Sequence, residues 1–562
     1  MHNISNILDF CFHEVQLTNF VEVIPRIPIA KSVNYYQCWH IITEISVNNF
    51  ITEIDLYVGF SKEFPYALPE FYFIDHQYDY FPHIDYENRK LCLYEDGVIF
   101  NTENPKNIVS DCIKQAKRVV YKGVNGINRA DFRNEIESYW IFSYDNEKTI
   151  NPNWILYGLP KDNCILNVLI NSERLRLIVA DNEMEEVKKW FNPILPLEKI
   201  LYLHNYQIPD CPPFDICWHS LKESLDIADT SLLDNFIKKY STLNILFPLN
   251  SNTFGGIYCG KISTERNGFR SGALKPHKVL DIYYKKSKSP RFMAKLYSPK
   301  RIEERTCGEE QKHHNFAVVG CGSIGSNLCY YLNAFCNTSF LLIDNDLFKV
   351  DNIGRHLLGF SSVYTFKANS IKKYLLSLRP EMKVKVLVKD VSNIDYTCVA
   401  ESSAVFCCTG NIMAELCFLN RLQVNNIMVP KFLIWLEPYA IAGHMVYLNL
   451  NDGEDKLKEF LSEDYFYKLN LIAPQEYKKP DAFIKRDAGC NGAYTNYSGN
   501  DVVKFLSALY PYICDLIDGN QQSACYRWVG NLDIAIKKGI NLTETNLKKN
   551  QVNIFPILPC SQ

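Results

Sequence analysis

The sequence has no dominant charge of one sign. Its 60 Lys and Arg stand against 63 Asp and Glu, a formal net charge of −3. A general nucleic-acid binder carries a strong basic excess to meet phosphates, so direct nucleic-acid binding is set aside. Long hydrophobic runs are also missing. No stretch reaches the roughly 18 apolar residues of a membrane span, and the run at 431–442 is interrupted by Glu437 and Pro438. Residues 1–15 show neither the basic start nor the apolar centre of a secretory signal. The expectation is a soluble, cytoplasmic protein without a membrane partner. Internal repeats and low-complexity tracts are absent too. A hydrophobic share of 47% excludes a disordered chain. The 562 residues exceed one small catalytic domain; at about 100–200 residues per domain they suggest about three to five.

Cysteine is what the chain does have, 20 of them. They are scattered, and no oxidising compartment is signalled, so a disulfide framework is not expected. Zinc-type paired cysteines are missing as well: Cys211 and Cys217 have no second pair, and Cys407-Cys408 are adjacent in a strand-like run. Cys11, Cys112, Cys329 and Cys417 lie in helical or apolar surroundings and read as small core residues. The question is which thiols carry chemistry.

Three regions separate on pattern. Residues 1–145 mix helix and strand, with a predicted hairpin over 36–60, a proline-broken entry at Phe64-Pro65-Tyr66-Ala67-Leu68-Pro69, and a helix over 107–121 that places Ile108, Cys112, Ala116 and Val119 on one face. Residues 146–300 form a middle domain whose fold the pattern does not name. Cys211-Pro-Pro and Phe254-Gly-Gly mark turns there, and the basic stretch 285–305 reads as a linker. Residues 301–562 begin as α/β.

The third region holds the first clear motif. A short apolar strand at 315–319 runs into Gly320-Cys321-Gly322-Ser323-Ile324-Gly325, then a helix, then a strand ending at Asp344. In this context the first glycine permits the tight turn, the second lets a phosphate approach the backbone, and the third lets helix pack on strand. Phosphate then sits at a helix N-terminus, and Asp344 is placed to accept from a ribose hydroxyl.

The residues beyond that strand do not suit a dehydrogenase. Asp344-Asn-Asp346 leads to Asn352-Ile-Gly-Arg355-His356 and then Lys367. The combination resembles the adenylation domain of ubiquitin-activating enzymes and of the ThiF/MoeB-type enzymes that activate sulfur carriers. The resemblance implies a Rossmann-like domain that binds ATP and Mg2+, with Gly320, Gly322, Gly325, Asp344, Asp346, Asn352, Arg355 and Lys367 at the nucleotide. Asn352, Arg355 and Lys367 would neutralise phosphate oxygens as a carboxylate attacks the α-phosphate and pyrophosphate leaves. One position departs from the pattern: Cys408-Thr409-Gly410-Asn411 has glycine where the family carries a magnesium-holding aspartate. The resemblance also makes Arg301 or Arg305 a candidate to cross a homodimer to its partner's ATP; a basic linker is the other reading.

Two thiols stand out. Cys490, in Asp487-Ala-Gly-Cys490-Asn-Gly-Ala-Tyr, is flanked by small turn-forming residues and followed by a helix-like stretch from about 501. A helix N-terminus nearby would lower a thiol pKa. The segment is similar to the catalytic-cysteine loop of bacterial activating domains, and Trp435-Leu-Glu437-Pro438 with Gly443-His444 resembles their strand pair. Cys92 follows Phe81-Pro82-His83 and precedes Leu93. This resembles ubiquitin-conjugating domains, with His83 in place of the asparagine that steadies the oxyanion; His83 would donate to that oxyanion or act as base. Phe132, Glu135 and Tyr139-Trp140 resemble the end of the bacterial versions.

A conjugating-type domain (1–145), a linker domain (146–300) and an activating-type domain (301–562) in one chain resemble the fused ligases of bacterial CBASS anti-phage operons. That resemblance implies an α/β and α+β multidomain protein and an ATP-dependent ligase. It would adenylate the C-terminus of a partner, a cGAS-like nucleotidyltransferase, pass it to Cys490 and Cys92 as thioesters, and join it to an amine on a protein target. It also implies a homodimer through the adenylation domain. A ligase for a ubiquitin-like modifier, a sulfur-carrier adenylyltransferase and a non-enzymatic scaffold are the alternatives; the last two leave Cys92 and the first 145 residues, or Arg355 and Lys367, unexplained.

Overall fold

In a computed structural model the chain divides into two compact units, residues 1–185 with 192–297, and residues 186–191 with 298–562. The structure describes residues 4–29, 34–78, 80–85, 88–95, 97–141, 151–208, 216–265, 270, 274–287, 289–462, 467–479, 483–486, 493–517 and 521–556.

The first unit opens with helix Ile4–Gln16 and a four-stranded antiparallel sheet of Phe20–Ile24, Gln37–Val47, Phe50–Phe60 and Glu70–Tyr72. The hairpin turn is Asn48-Asn49, both at positive φ (50° and 69°), which matches the strand twist and which asparagine tolerates. Helix Pro105–Val124 buries Ile108, Cys112, Ala116 and Val119 against Trp39, Ile41, Leu56 and Val58 of the sheet, the face its spacing predicts. Short helices Asp131–Asn134 and Ile136–Ile141 come next.

The rest of this unit is built on a closed seven-stranded barrel, in the order Thr253–Lys261, Arg291–Tyr297, Asn151–Tyr157, Arg176–Val179, Cys164–Ile170, Ile194–Tyr202 and Thr242–Pro248, with helices Trp218–Ser224, Ile227–Tyr240 and Pro276–Tyr283. Two sequence readings are corrected by it. Phe254-Gly-Gly is not a turn but lies inside a barrel strand; a Cβ at Gly255 would stand 2.9 Å from Trp140, and one at Gly256 2.2 Å from Phe292. The basic stretch 285–305 is not a plain linker. It holds the strand Arg291–Tyr297, whose Phe292, Ala294 and Leu296 are buried while Arg291 and Lys295 are not, and the helix Pro299–Cys307. Basic residues on the outer face masked the strand period.

The second unit is built on an eight-stranded sheet ordered Lys383–Leu387, Thr338–Ile343, His314–Val319, Ala404–Cys407, Lys431–Leu436, Ala442–Leu448, Ala524–Val529 and Val552–Pro556. The first five are parallel and the last three antiparallel. Along His314–Val319, Phe316 and Val318 enter one core with helices Ser323–Leu332, Lys367–Leu378 and Gly499–Leu516, while Ala317 and Val319 enter another with helix Ile412–Val424. A strand buried on both faces is what a doubly wound sheet requires. The chain leaves His314–Val319 in one direction and returns on its other side as Ala404–Cys407. That reversal is the switch point at which such sheets bind ligands.

Candidate active sites

The glycine turn stands at this switch point, and each glycine has its own reason. Gly320 has φ +85°, and a Cβ there would stand 2.9 Å from the Cys408 backbone. At Gly325 a Cβ would stand 1.9 Å from the Gly320 carbonyl, so helix Ser323–Leu332 can start this close only with glycine. A Cβ at Gly322 would meet nothing within 4 Å; this glycine faces open space, as an approaching phosphate needs.

The turn is clamped through the peptide groups of Cys321. Asp344 Oδ2 accepts the Cys321 N–H at 2.6 Å, and Oδ1 accepts the Asp346 N–H at 2.7 Å. Burial raises the Asp344 carboxyl above its ordinary range, against those two N–H groups and Lys367, which pull it down. On the other side, His356 Nε2–H donates to the Cys321 carbonyl at 2.8 Å. Its Nδ1 accepts the Leu358 N–H at 3.1 Å, which fixes that tautomer. Burial, then Lys367 and Arg355, hold this imidazole down at about 4, so it is neutral. The motif reading of the sequence had no role for His356; only the fold turns it under the glycine turn.

The basic residues surround the same turn. Lys367 begins its helix and donates from Nζ to Asp346 Oδ2 at 2.7 Å; Lys367 is 10% exposed and Asp346 67%. Asn327 Nδ2 donates to the Arg355 carbonyl at 3.1 Å, and the Arg355 guanidinium stands over the Tyr497 ring, 5.3 Å from its centre. Asn352 differs. Its Oδ1 accepts the Lys349 N–H at 2.9 Å and closes a short turn.

At Gly410 (φ +64°) no acid is present. The Glu415 carboxyl, 2% exposed, meets the Gly410 backbone and accepts from the Thr409 hydroxyl at 2.9 Å. Burial pushes Glu415 up to about 7. Among the described residues no group of three or more His, Cys, Asp or Glu side chains clusters to hold a metal. A Mg2+ site needs less, since one or two carboxylates with substrate phosphates and waters suffice. Asp346, exposed and with one oxygen on Lys367, fits that modest demand.

Cys490 lies outside the described residues. The strands resembling its neighbours pair as expected, with Trp435 opposite His444. Glu437 is 2% exposed and accepts from His444 Nε2 at 2.7 Å and from the Leu471 and Ile472 N–H groups at 2.8 and 2.9 Å.

In the first unit, Cys92 is exposed beside a cavity of about 720 Å³ lined by Tyr66, Leu68, His83, Val98, Glu135 and Tyr139 among others. His83 is left-handed (φ 66°), and its carbonyl accepts the Cys92 N–H at 2.8 Å. Its own N–H donates to the Tyr139 hydroxyl at 3.0 Å, and that hydroxyl donates to Glu135 at 3.1 Å. The His83 ring stands between carboxylates, Nε2 3.1 Å from Asp131 and Nδ1 3.3 Å from Glu135. Either role suggested for His83 requires one of these pairs to open. Asp131 carried no sequence signal; a lone acid at a helix start usually reads as a cap. Of the thiols expected in the core, Cys11, Cys112 and Cys329 are buried but Cys417 is exposed on its helix.

Two family models match parts of the chain. Residues 24–149 match the prokaryotic E2 family B, and residues 301–464 match the ThiF family. The chain thus joins a prokaryotic E2-type α+β region to a C-terminal ThiF-type α/β region. Among individual proteins, it is 40% identical over 81 residues to the ATP-dependent ubiquitin transferase-like protein Cap2 of Pseudomonas aeruginosa, covering 14% of this chain and 15% of that protein. It is 33% identical over 75 residues to the adenylyltransferase and sulfurtransferase UBA4 of Scheffersomyces stipitis, covering 13% and 17%. The matches therefore span less than a fifth of either relative's length. Solved structures that resemble it include PaaA (16% identity, TM-score 0.32, 52% of this chain and 88% of that one) and Escherichia coli MccB with ATP (14%, 0.29, 44% and 64%).

Proposed function

We propose that this chain is an ATP-dependent protein ligase. The second unit adenylates the C-terminal carboxylate of a partner protein: the carboxylate oxygen attacks the α-phosphate, and pyrophosphate leaves. The Cys490 thiolate then attacks the acyl carbon and releases AMP. Thioester exchange moves the acyl group to Cys92, and an amine of the target displaces Cys92 to form an amide. A carboxylate is a poor electrophile, and the adenylate and thioesters carry its activation through the handover.

One observation carries the reading: a single chain holds a clamped glycine turn ringed by Arg355 and Lys367 and, in its E2-type region, an exposed thiol beside a cavity. In this scheme Gly320, Gly322 and Gly325 admit the phosphates, Asp344 holds the turn and meets the ribose, and Asn352, Arg355 and Lys367 meet phosphate oxygens. Mg2+ held by Asp346 would neutralise charge on the phosphates. The partner is a cGAS-like nucleotidyltransferase, and the ligase works as a homodimer through the second unit, with Arg301 or Arg305 of helix Pro299–Cys307 reaching across; the resemblance to CBASS fused ligases supports both.

The test is incubation of the full chain with ATP, Mg2+ and the purified nucleotidyltransferase, read on non-reducing gels. Cys490→Ala is expected to abolish both thioesters, and Cys92→Ala to leave the one on Cys490. Thiol-sensitive adducts persisting in the double variant would overturn the assignment.

A further inference from the structure

The chain following Cys490 re-enters the described residues at 493 and is fastened to the nucleotide loop within four positions. The Asn496 carbonyl accepts the Tyr439 N–H at 2.6 Å. The Tyr497 hydroxyl shares a hydrogen bond with the Ser323 hydroxyl at 2.7 Å. The Tyr497 ring lies under the Arg355 guanidinium, 5.3 Å from its centre. Gly499 packs so closely on Gly354 that a Cβ would stand 2.5 Å from the Gly354 carbonyl oxygen. Helix Gly499–Leu516 then begins, capped by Ser498 and Asp501.

The Ser323 hydroxyl and the Arg355 guanidinium both belong to the nucleotide loop, while the Tyr497 ring also packs on the core beneath it. Ser323 is the first residue of the helix after the glycine turn, where an anion meets hydroxyl and N–H donors. Arg355 supplies the guanidinium at the same place. A free arginine loses much rotamer freedom when it settles on a phosphate, and a ring face that holds it beforehand removes part of that loss.

We propose that Tyr497 is a positioning residue for the nucleotide: its ring orders Arg355 and its hydroxyl orients Ser323. The residue that aligns Arg355 thus lies seven positions beyond Cys490 in the sequence. The inference rests on the ATP reading above and adds to it a residue outside the recognised motif.

The experiment is calorimetric titration of the full chain with ATP, with Tyr497→Ala, Tyr497→Leu, Tyr497→Phe, Arg355→Ala and the Tyr497→Ala/Arg355→Ala pair. Melting temperatures control for folding, and Tyr497→Leu keeps most of the packing volume should the alanine variant unfold. Alanine and leucine are expected to weaken ATP binding about five-fold, and phenylalanine, which keeps the ring face, less than about two-fold. The double variant should bind as Arg355→Ala does, since the ring acts mainly through the guanidinium. Wild-type binding by both the alanine and leucine variants, or losses that multiply in the double variant, would overturn the proposal. Failure of the wild-type chain itself to bind ATP overturns the ATP reading, and this inference with it.

Discussion

His356 offers a test of how the glycine turn is held. It is 8% exposed, packs edge-on against Phe348, donates from Nε2 to Cys321 and accepts at Nδ1 from Leu358. Protonation at Nδ1 would set its new hydrogen against the Leu358 N–H. Burial, Lys367 and Arg355 oppose it further and hold the group at about 4, against 6.5 for an ordinary histidine. Between these values the unfolded chain binds a proton that the folded chain refuses. Stability from this group is therefore complete above about pH 6.5 and is lost as pH falls toward 4. From pH 7 to pH 4.5 the loss is about 2.5 kcal/mol. His356→Gln keeps an N–H donor but does not titrate. Hydrogen exchange in peptides spanning 314–332, compared at equal pH, reads the local opening free energy and cancels the intrinsic rate. The stability gap between wild type and His356→Gln should shift by about 2.5 kcal/mol in favour of the variant as pH drops from 7 to 4.5. An identical gap at both pH values would refute the buried neutral clamp.

Other outcomes rest on the same geometry. Gly325→Ala forces a Cβ to 1.9 Å from the Gly320 carbonyl and should lower the melting temperature and abolish ATP binding, whereas Gly322→Ala, with open space around it, should melt as wild type and still weaken ATP. Glu415, raised to about 7 by burial, favours the fold at low pH and loses that contribution as pH rises through 7. Glu415→Gln should thus gain stability relative to wild type between pH 5 and pH 8, by about 2 kcal/mol in urea unfolding. Tyr139→Phe leaves the His83 N–H without its 3.0 Å acceptor and should cost about 1–2 kcal/mol of local stability, read as faster alkylation of Cys92. Asp131→Asn removes a carboxylate from the His83 ring; a change in the pH profile of amide formation, with the Cys92 thioester still formed, would show that the His83 pairs govern the acceptor step.

Much of this architecture was legible from local pattern. The glycine turn, the acidic strand end and the basic residues after it are short-range features: each glycine answers to atoms of its own turn or of the neighbouring strand, so their spacing carries the constraint. The hairpin at Asn48-Asn49 and the buried face of Pro105–Val124 reflect two- and 3.6-residue periods. The barrel was not legible in this way, because its strands close on one another across long separations, and its glycines 255 and 256 are dictated by Trp140 and Phe292, far away in sequence. By itself, then, the sequence determined the glycine turn and the thiol Cys92 with His83 nearby. Only the tertiary structure decided that Asp344 and His356 grip the two peptide groups flanking Cys321, that the His83 ring is taken up by Asp131 and Glu135, and that Tyr497 stands beneath Arg355. Those contacts join residues 23 to 142 positions apart, and no local period records a distance that only the folded chain creates.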